Sequence, residues 1–228
     1  MLNNTSYKYR NNDESSEDNR IFNYKSIEEE NKLRIENSRT LRKWKLLAGT
    51  GLEYVQFGVD NKAKILIPGA PGTAGTIQDI AFSTQLDLAK YSGFVRAYRN
   101  VMGNGTLSFA GRLDGNTYNK HMQNVLNQPT ASVSASLPTP VNGLFFNANV
   151  GQFTQLPSYT ILGYRNATGA LDNQDRVKYI RNRMVAAGLQ YNKVKDTRIT
   201  LEGFYKQYAN YPLALNDSIS LGNLGTDF

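Results

Sequence analysis

The sequence predicts an all-β protein, an antiparallel meander of about eight long strands. Three observations predict it. Apolar and polar residues alternate with a period of two in one segment after another, which is the period of a strand. The connections between these segments run short, long, short, long, short, long, short. Helical periodicity is nearly absent: the acidic run at 28–30 could start a turn, but nothing sustains it.

Residues 1–26 are polar, rich in Asn, Ser, Asp and Glu, and read as a loop or frayed terminus. The first strand is KLRIE at 32–36, followed by a short connection at 37–43. A long strand covers 44–57, with Trp44, Leu46, Ala48, Leu52 and Tyr54 on one side. Lys45, Gly49, Gly51 and Glu53 take the other side, interrupted by Leu47 and Val55. Residues 60–85 read as a long connection holding PGAPGTAG, a turn-forming run of Gly and Pro. The strand at 86–99 sets Ala89, Tyr91, Val95 and Ala97 against Lys90, Ser92 and Arg96, with Phe94 on the polar side.

NVMGNG at 100–105 is a tight turn. Leu107, Phe109, Gly111 and Leu113 then oppose Thr106, Ser108, Arg112 and Asp114. A polar connection runs over 115–129. Residues 130–137 alternate without a fault, Ala131, Val133, Ala135 and Leu137 against Thr130, Ser132, Ser134 and Ser136. After the short PTPVNG turn at 138–143, Leu144, Phe146, Ala148 and Val150 oppose Asn147, Asn149 and Gly151. A long polar stretch covers 154–176. The next strand sets Val185, Ala187, Leu189 and Tyr191 against Asn182, Gly188 and Gln190. A short link at 192–196 leads to TRITLEGFYKQY at 197–208, where Ile199, Leu201, Gly203 and Tyr205 share a face. Residues 209–228 form a tail.

Such strands fit a half-buried soluble sheet or a membrane barrel with lipid on one side and water on the other. Two features favour the barrel. Short turns alternating with long loops are the barrel arrangement, whereas a sandwich mixes lengths at both ends. The polar face is small and uncharged over 130–136 and at Asn147 and Asn149, as suits a crowded wet lumen. Trp44 and Tyr54 share a face of one strand, roughly 25 Å apart along the normal of a barrel tilted ~40°, the height of an apolar band between aromatic girdles. The short connections 37–43, 100–105, 138–143 and 192–196 are expected at the periplasmic end, and 60–85, 115–129 and 154–176 at the other.

Composition bounds the function. Cysteine is absent, so disulfides and thiolate metal sites are excluded. The net charge of +7 is spread along the strands and not gathered into a recognition motif, so nucleic acid is not an expected partner. No apolar run approaches the ~20 residues of a spanning helix, and no signal peptide is visible. His121 is the sole histidine and lies in a polar connection, so no triad or multi-histidine metal site is available. Gly69 to Gly75 lacks the Lys-Ser/Thr of a phosphate loop. No catalytic residues, metal site or cofactor are expected, and the protein does not read as an enzyme.

The segments ENKLRIEN (30–37), LFFNANVGQFTQLPSYTILGYR (144–165), VKYIRN (177–182), ITLEGFYKQYANYP (199–212) and DSISLGNLGTDF (217–228) resemble the barrel of TonB-dependent outer-membrane receptors, in particular those of Bacteroidetes-type bacteria. The resemblance covers most of residues 28–228. It implies a nutrient importer, for a glycan, siderophore or similar ligand, in the outer membrane of a Gram-negative bacterium. It also implies a larger barrel of which this is a piece: a polar end at 1–26, a partial barrel at 27–208 and an extracellular loop or tail at 209–228. The implied partners are outer-membrane lipid, a plug and the remaining strands, a periplasmic energy-coupling protein, and a surface lipoprotein. A small autonomous porin- or adhesin-like barrel and a secreted carbohydrate-binding β-sandwich are the alternatives.

For a receptor, ligand contacts come from the lumen and outer loops. Asn147, Asn149, Gln152, Phe153, Tyr159 and Tyr164 are the candidates for hydrogen bonding and stacking on a sugar, and Arg112 and Arg198 for an anionic ligand. A piece of a larger barrel should fold as an open sheet in chain order, with unpaired edges near Leu33 and Leu201.

Overall fold

The computed structural model describes residues 2–11, 20–67, 75–165, 169–171, 173–193, 197–214 and 219–220. Most of the closing DSISLGNLGTDF, the Gly/Pro run at 68–74 and the link at 194–196 lie outside them. Nine strands form one antiparallel sheet in strict chain order. They are β1 (Leu2–Asn11), β2 (Arg20–Leu41), β3 (Trp44–Ile67), β4 (Thr76–Val101), β5 (Gly105–Asn116), β6 (Pro129–Pro138), β7 (Leu144–Gln155), β8 (Ile180–Tyr191) and β9 (Ile199–Ala209). Among the described residues β9 does not pair with β1, so the sheet is open. A separate two-stranded hairpin joins β10 (Leu213–Ala214) to β11 (Ile219–Ser220) in the tail. Among the described residues helix is confined to α1 (Lys120–Gln123), α2 (Tyr159–Leu162) and a 3-10 turn at Val125–Asn127. None is long and apolar enough to cross a membrane, which says nothing about strands.

The eight expected strands are present as β2 to β9, and three expectations change. The polar end is not a loop: β1 pairs with β2 from Leu2↔Glu30 to Asn11↔Arg20. The free edges are therefore β1 and β9, not a strand near Leu33. The long connection at 60–85 is mostly strand, because β3 runs to Ile67 and β4 starts at Thr76. The physical reasons differ. Backbone ladders need no side-chain pattern, so the polar β1 shows no alternation to read; over 60–85 the alternation is there, with Ile80 and Phe82 in phase with Leu86 and Leu88, but the Gly/Pro run at 68–74 outweighs it as a turn signal.

The chain divides into two compact units. One comprises Leu33–Leu52, Lys90–Pro157 and Val177–Phe228. Its register puts Phe109, Val133, Val150, Val185 and Tyr205 in one row across β5 to β9. The adjacent row, on the opposite face, is Ser108, Ser134, Asn149, Ala186 and Phe204. The apolar row faces outward without cover: Val133 is 38% exposed, Val185 54% and Tyr205 68%. Leu33, Ile35, Leu52, Val95 and Leu201 are exposed in the same way. Trp44 packs against Phe109 with ring centroids 5.9 Å apart, and the Arg99 guanidinium lies 5.4 Å above its ring.

Phe94, the large apolar residue on the polar side, is explained by a glycine. A Cβ on Gly49 would lie 2.6 Å from its ring and 2.6 Å from the Ile35 carbonyl, so the ring covers bare backbone. The Arg34 guanidinium lies 4.9 Å from the centroid of that ring. The short turns are tight. Arg42 adopts φ 56° between β2 and β3, and Gly143 adopts φ 81° before β7. A Cβ at Gly143 would also meet Lys193 at 2.7 Å.

The other unit comprises Met1–Lys32, Glu53–Ala89 and Ser158–Arg176. Its core is Val55, Phe57, Val59, Leu86, Leu88 and Leu162. The connection at 158–176 folds onto β3 and β4 there. Gly163 approaches Thr84 closely enough that a Cβ would lie 3.0 Å from its methyl. Arg165 donates to Thr84 Oγ1 at 3.1 Å and to the Gly169 carbonyl at 2.8 Å.

Candidate functional site

The polar face of β4 to β9 carries a shallow depression of about 250 Å3. Period-two placement builds it: Ser108, Ser134, Ser136, Asn147, Asn149 and Ala186 alternate with the exposed apolar residues of the same strands. Small side chains make the floor low. Arg96 stands on one flank and Glu202 on the other. Arg96 Nε donates to Ser108 Oγ at 3.3 Å, and its guanidinium lies 5.6 Å from the Tyr98 ring. Two amide oxygens on this face, Asn149 Oδ1 and Asn182 Oδ1, are buried without a hydrogen-bond partner. A buried acceptor left unpaired costs about 1–3 kcal/mol.

The expected site residues do not form one cluster. Asn147 and Asn149 line the depression. Arg198 reaches its short-turn end, donating to Gln190 Oε1 at 2.6 Å, and Asn147 Nδ2 approaches the same oxygen at 3.5 Å. Phe153 shares the polar face further along β7, its ring beside Gly151. Arg112 is also on this face but grips Asp114 through Nε and Nη2 at 2.7–2.9 Å, so its charge is already countered. Gln152 is a correction. It shares the face of Val150 and Ala148, where it donates to the Pro129 carbonyl at 3.0 Å and accepts from Arg183 Nε at 3.2 Å. In the sequence the apolar pattern of β7 stops at Val150, but the strand and its alternation continue to Gln155 and put Gln152 on the apolar side.

Tyr159 and Tyr164 belong to the other unit. Tyr164 is exposed. Tyr159 Oη donates to Glu30 Oε1 at 3.0 Å, and its ring packs on Phe57. Burial first, then that bond to a carboxylate, push its pKa up, so it remains a neutral phenol. Glu30 also pairs with Lys32, which lies 3.6 Å from Glu53. Tyr159 is thus a structural anchor for its loop.

The connection at 116–129 is more ordered than its polar sequence suggests. Met122, Asn116, Tyr118 and Gln128 are buried. Asn116 Nδ2 donates to Tyr179 Oη at 3.0 Å, and Asn116 Oδ1 accepts from Tyr118 N at 2.9 Å. Gln128 Nε2 donates to the carbonyls of Asp114 and Met122. Asn119 caps α1 through Met122 N at 2.8 Å. Burial pushes the Tyr179 hydroxyl up to about 12, against the opposing effect of the Asn116 bond. His121 is exposed, and no group of three or more His, Cys, Asp or Glu able to hold a metal exists among the described residues.

No family model matches the sequence, and no curated protein matches it. Among solved structures the chain is similar to "Copper transporter OprC", with a TM-score of 0.64 and 16% sequence identity. The match covers 90% of this chain and 34% of that one, so the chain spans about a third of that protein's length. At this identity the likeness concerns the fold.

Proposed function

We propose that this chain is a sector of the wall of an outer-membrane transport barrel in a Gram-negative bacterium. The observation that carries the reading is the two-faced sheet. One face sets Phe109, Val133, Val150, Val185 and Tyr205 in a bare row, and the other sets Ser and Asn beside them. Water on both sides would leave that row exposed at roughly 25 cal/mol per Å2. Lipid on one side and a wet lumen on the other satisfies both faces. The open order β1 to β9 supports a sector of a larger barrel over an autonomous small one, and the single large sheet speaks against a sandwich.

The transported ligand is a nutrient, drawn in by energy coupling from the periplasm, as the resemblance to TonB-dependent receptors implies. Asn147, Asn149, Phe153 and Arg198 face the lumen in this reading. The protein is not proposed to be an enzyme. Copper belongs to the neighbour's name and is not carried over. Fractionation tests the reading: the protein should sediment with outer membranes and resist alkaline extraction. Recovery in the soluble fraction would contradict it.

A further inference from the structure

The sequence holds two Asn-Gly steps, Asn104–Gly105 and Asn142–Gly143, both in short connections. Such a step carries a reaction of its own. The glycine nitrogen can attack the asparagine side-chain carbon, because glycine has no Cβ to block the approach and asparagine is chemically labile. The attack needs a side chain in water, a side-chain amide bound to nothing, and a glycine N–H outside any hydrogen bond. The two steps differ on these points.

Asn142 is exposed and lies in the turn between β6 and β7. The bonds of that turn pass around it. Thr139 N donates to the Leu144 carbonyl at 2.9 Å, Leu144 N to the Val141 carbonyl at 3.0 Å, and Asn192 N to the Gly143 carbonyl at 2.8 Å. Among the described residues neither the Asn142 side chain nor the Gly143 N–H has a hydrogen-bond partner. Gly105 is held instead. It is buried and paired with Val101 at the end of the β4–β5 ladder. A Cβ on it would lie 2.9 Å from the Pro138 ring and 3.0 Å from the Ser136 carbonyl. Its nitrogen cannot turn toward Asn104 until that pairing opens.

We propose that Asn142 is a site of spontaneous hydrolytic modification, with water as the co-reactant. Hydroxide takes the Gly143 N–H proton, and the nitrogen attacks Asn142 Cγ. The Cγ–Nδ2 bond breaks, and the amide leaves as ammonia with a proton from water. Water then opens the cyclic imide at either carbonyl, giving aspartate or isoaspartate. One water enters and one ammonia leaves; nothing is oxidised or reduced. Isoaspartate inserts a methylene into the main chain between positions 142 and 143. That displaces the Gly143 carbonyl from Asn192 N, so the product loosens the short-turn end of β7 and β8.

The test follows the full chain in the cell fraction that holds it, without extraction or refolding. Synthesis is stopped and the fraction is aged at physiological pH and temperature, with a parallel sample in guanidinium chloride. Trypsin then puts the two steps on separate peptides, 100–112 and 121–165, and fragment masses locate each converted amide. In the native sample Asn142 should convert at least about tenfold faster than Asn104, which must wait for its ladder pair to open. In guanidinium chloride the two should convert at similar rates. Asn142→Gln should abolish conversion at 142 and leave that at Asn104 unchanged, because the longer side chain cannot close the five-membered ring. Equal native rates, or a faster rate at Asn104, overturn the proposal. So does a lead of Asn142 that persists in guanidinium chloride, which would assign it to the neighbouring residues and not to the folded turn.

Discussion

Replacing Val133 by Arg tests the lipid assignment energetically. Val133 lies in the middle of β6, between Phe109 and Val150 on the same face, with 38% of its surface exposed. If that face meets the bilayer near mid-depth, the guanidinium is placed where snorkelling to either interface is longest. The cost is then about 2–4 kcal/mol, or roughly thirty-fold to nearly a thousand-fold in the folding equilibrium. The Val133→Ala variant, measured alongside, subtracts the part of the cost that comes from losing the valine itself. The control is the next residue. Ser134→Arg puts the same charge on the polar face, beside Ser108 and Asn149, and should cost less than about 1 kcal/mol. The assay is a reversible urea titration in phosphatidylcholine vesicles, read from Trp44, the single tryptophan. Equal costs for the two variants, or a larger cost for Ser134→Arg, would refute the assignment of faces.

Other expectations test the parts. Gly49→Ala should destabilise the wall by about 1–3 kcal/mol in the same titration, since the new Cβ meets the Phe94 ring and the Ile35 carbonyl at 2.6 Å. Asn116→Leu should cost about 1–3 kcal/mol by stranding Tyr118 N and the Tyr179 hydroxyl. Tyr179 should ionise later than exposed tyrosines in an ultraviolet titration, near 12. Its neutral form is favoured in the folded state, so its contribution is fully present below about 10 and is lost as pH rises from 10 through 12. A Tyr179→Phe variant should lack that loss. Arg165→Ala should expose the 158–176 connection to chymotrypsin at Tyr164, because it removes the bonds to Thr84 and Gly169; an unchanged cleavage rate would show that the clamp lies elsewhere.

Strands β5 to β9 were legible because each carries an apolar face and a polar one, which writes period two into the sequence. That alternation fixes which residues share a face, while the register of Val133 against Phe109 and Val150 comes from the ladder itself. The outer parts of β2, β3 and β4 were not legible. The polar segments flanking β1 carry no clean apolar stripe, and backbone pairing leaves no trace in composition; over 76–88 the row Ile80, Phe82, Leu86 and Leu88 was present but was masked by the Gly/Pro run before it. Gln152 was misplaced because a polar residue on the apolar face looks like the end of a pattern; its partner Arg183, at the matching position on β8, was the signal. Phe94 broke the pattern because a glycine across the sheet left room for its ring. The buried Asn116–Tyr179 pair joins residues 63 positions apart, a contact that no local reading supplies. Arg96 and Ser108 were likewise missed as lining residues, although their positions in the alternation place them on the polar face.

The most direct test uses the absence of cysteine. Single cysteines at each position from 130 to 137, spin-labelled in vesicles, should alternate in their access to lipid-soluble oxygen and to a water-soluble nickel chelate. The account predicts high oxygen access at 131, 133, 135 and 137, and high nickel access at 130, 132, 134 and 136. The reverse phase, or nickel access at every position, would contradict it.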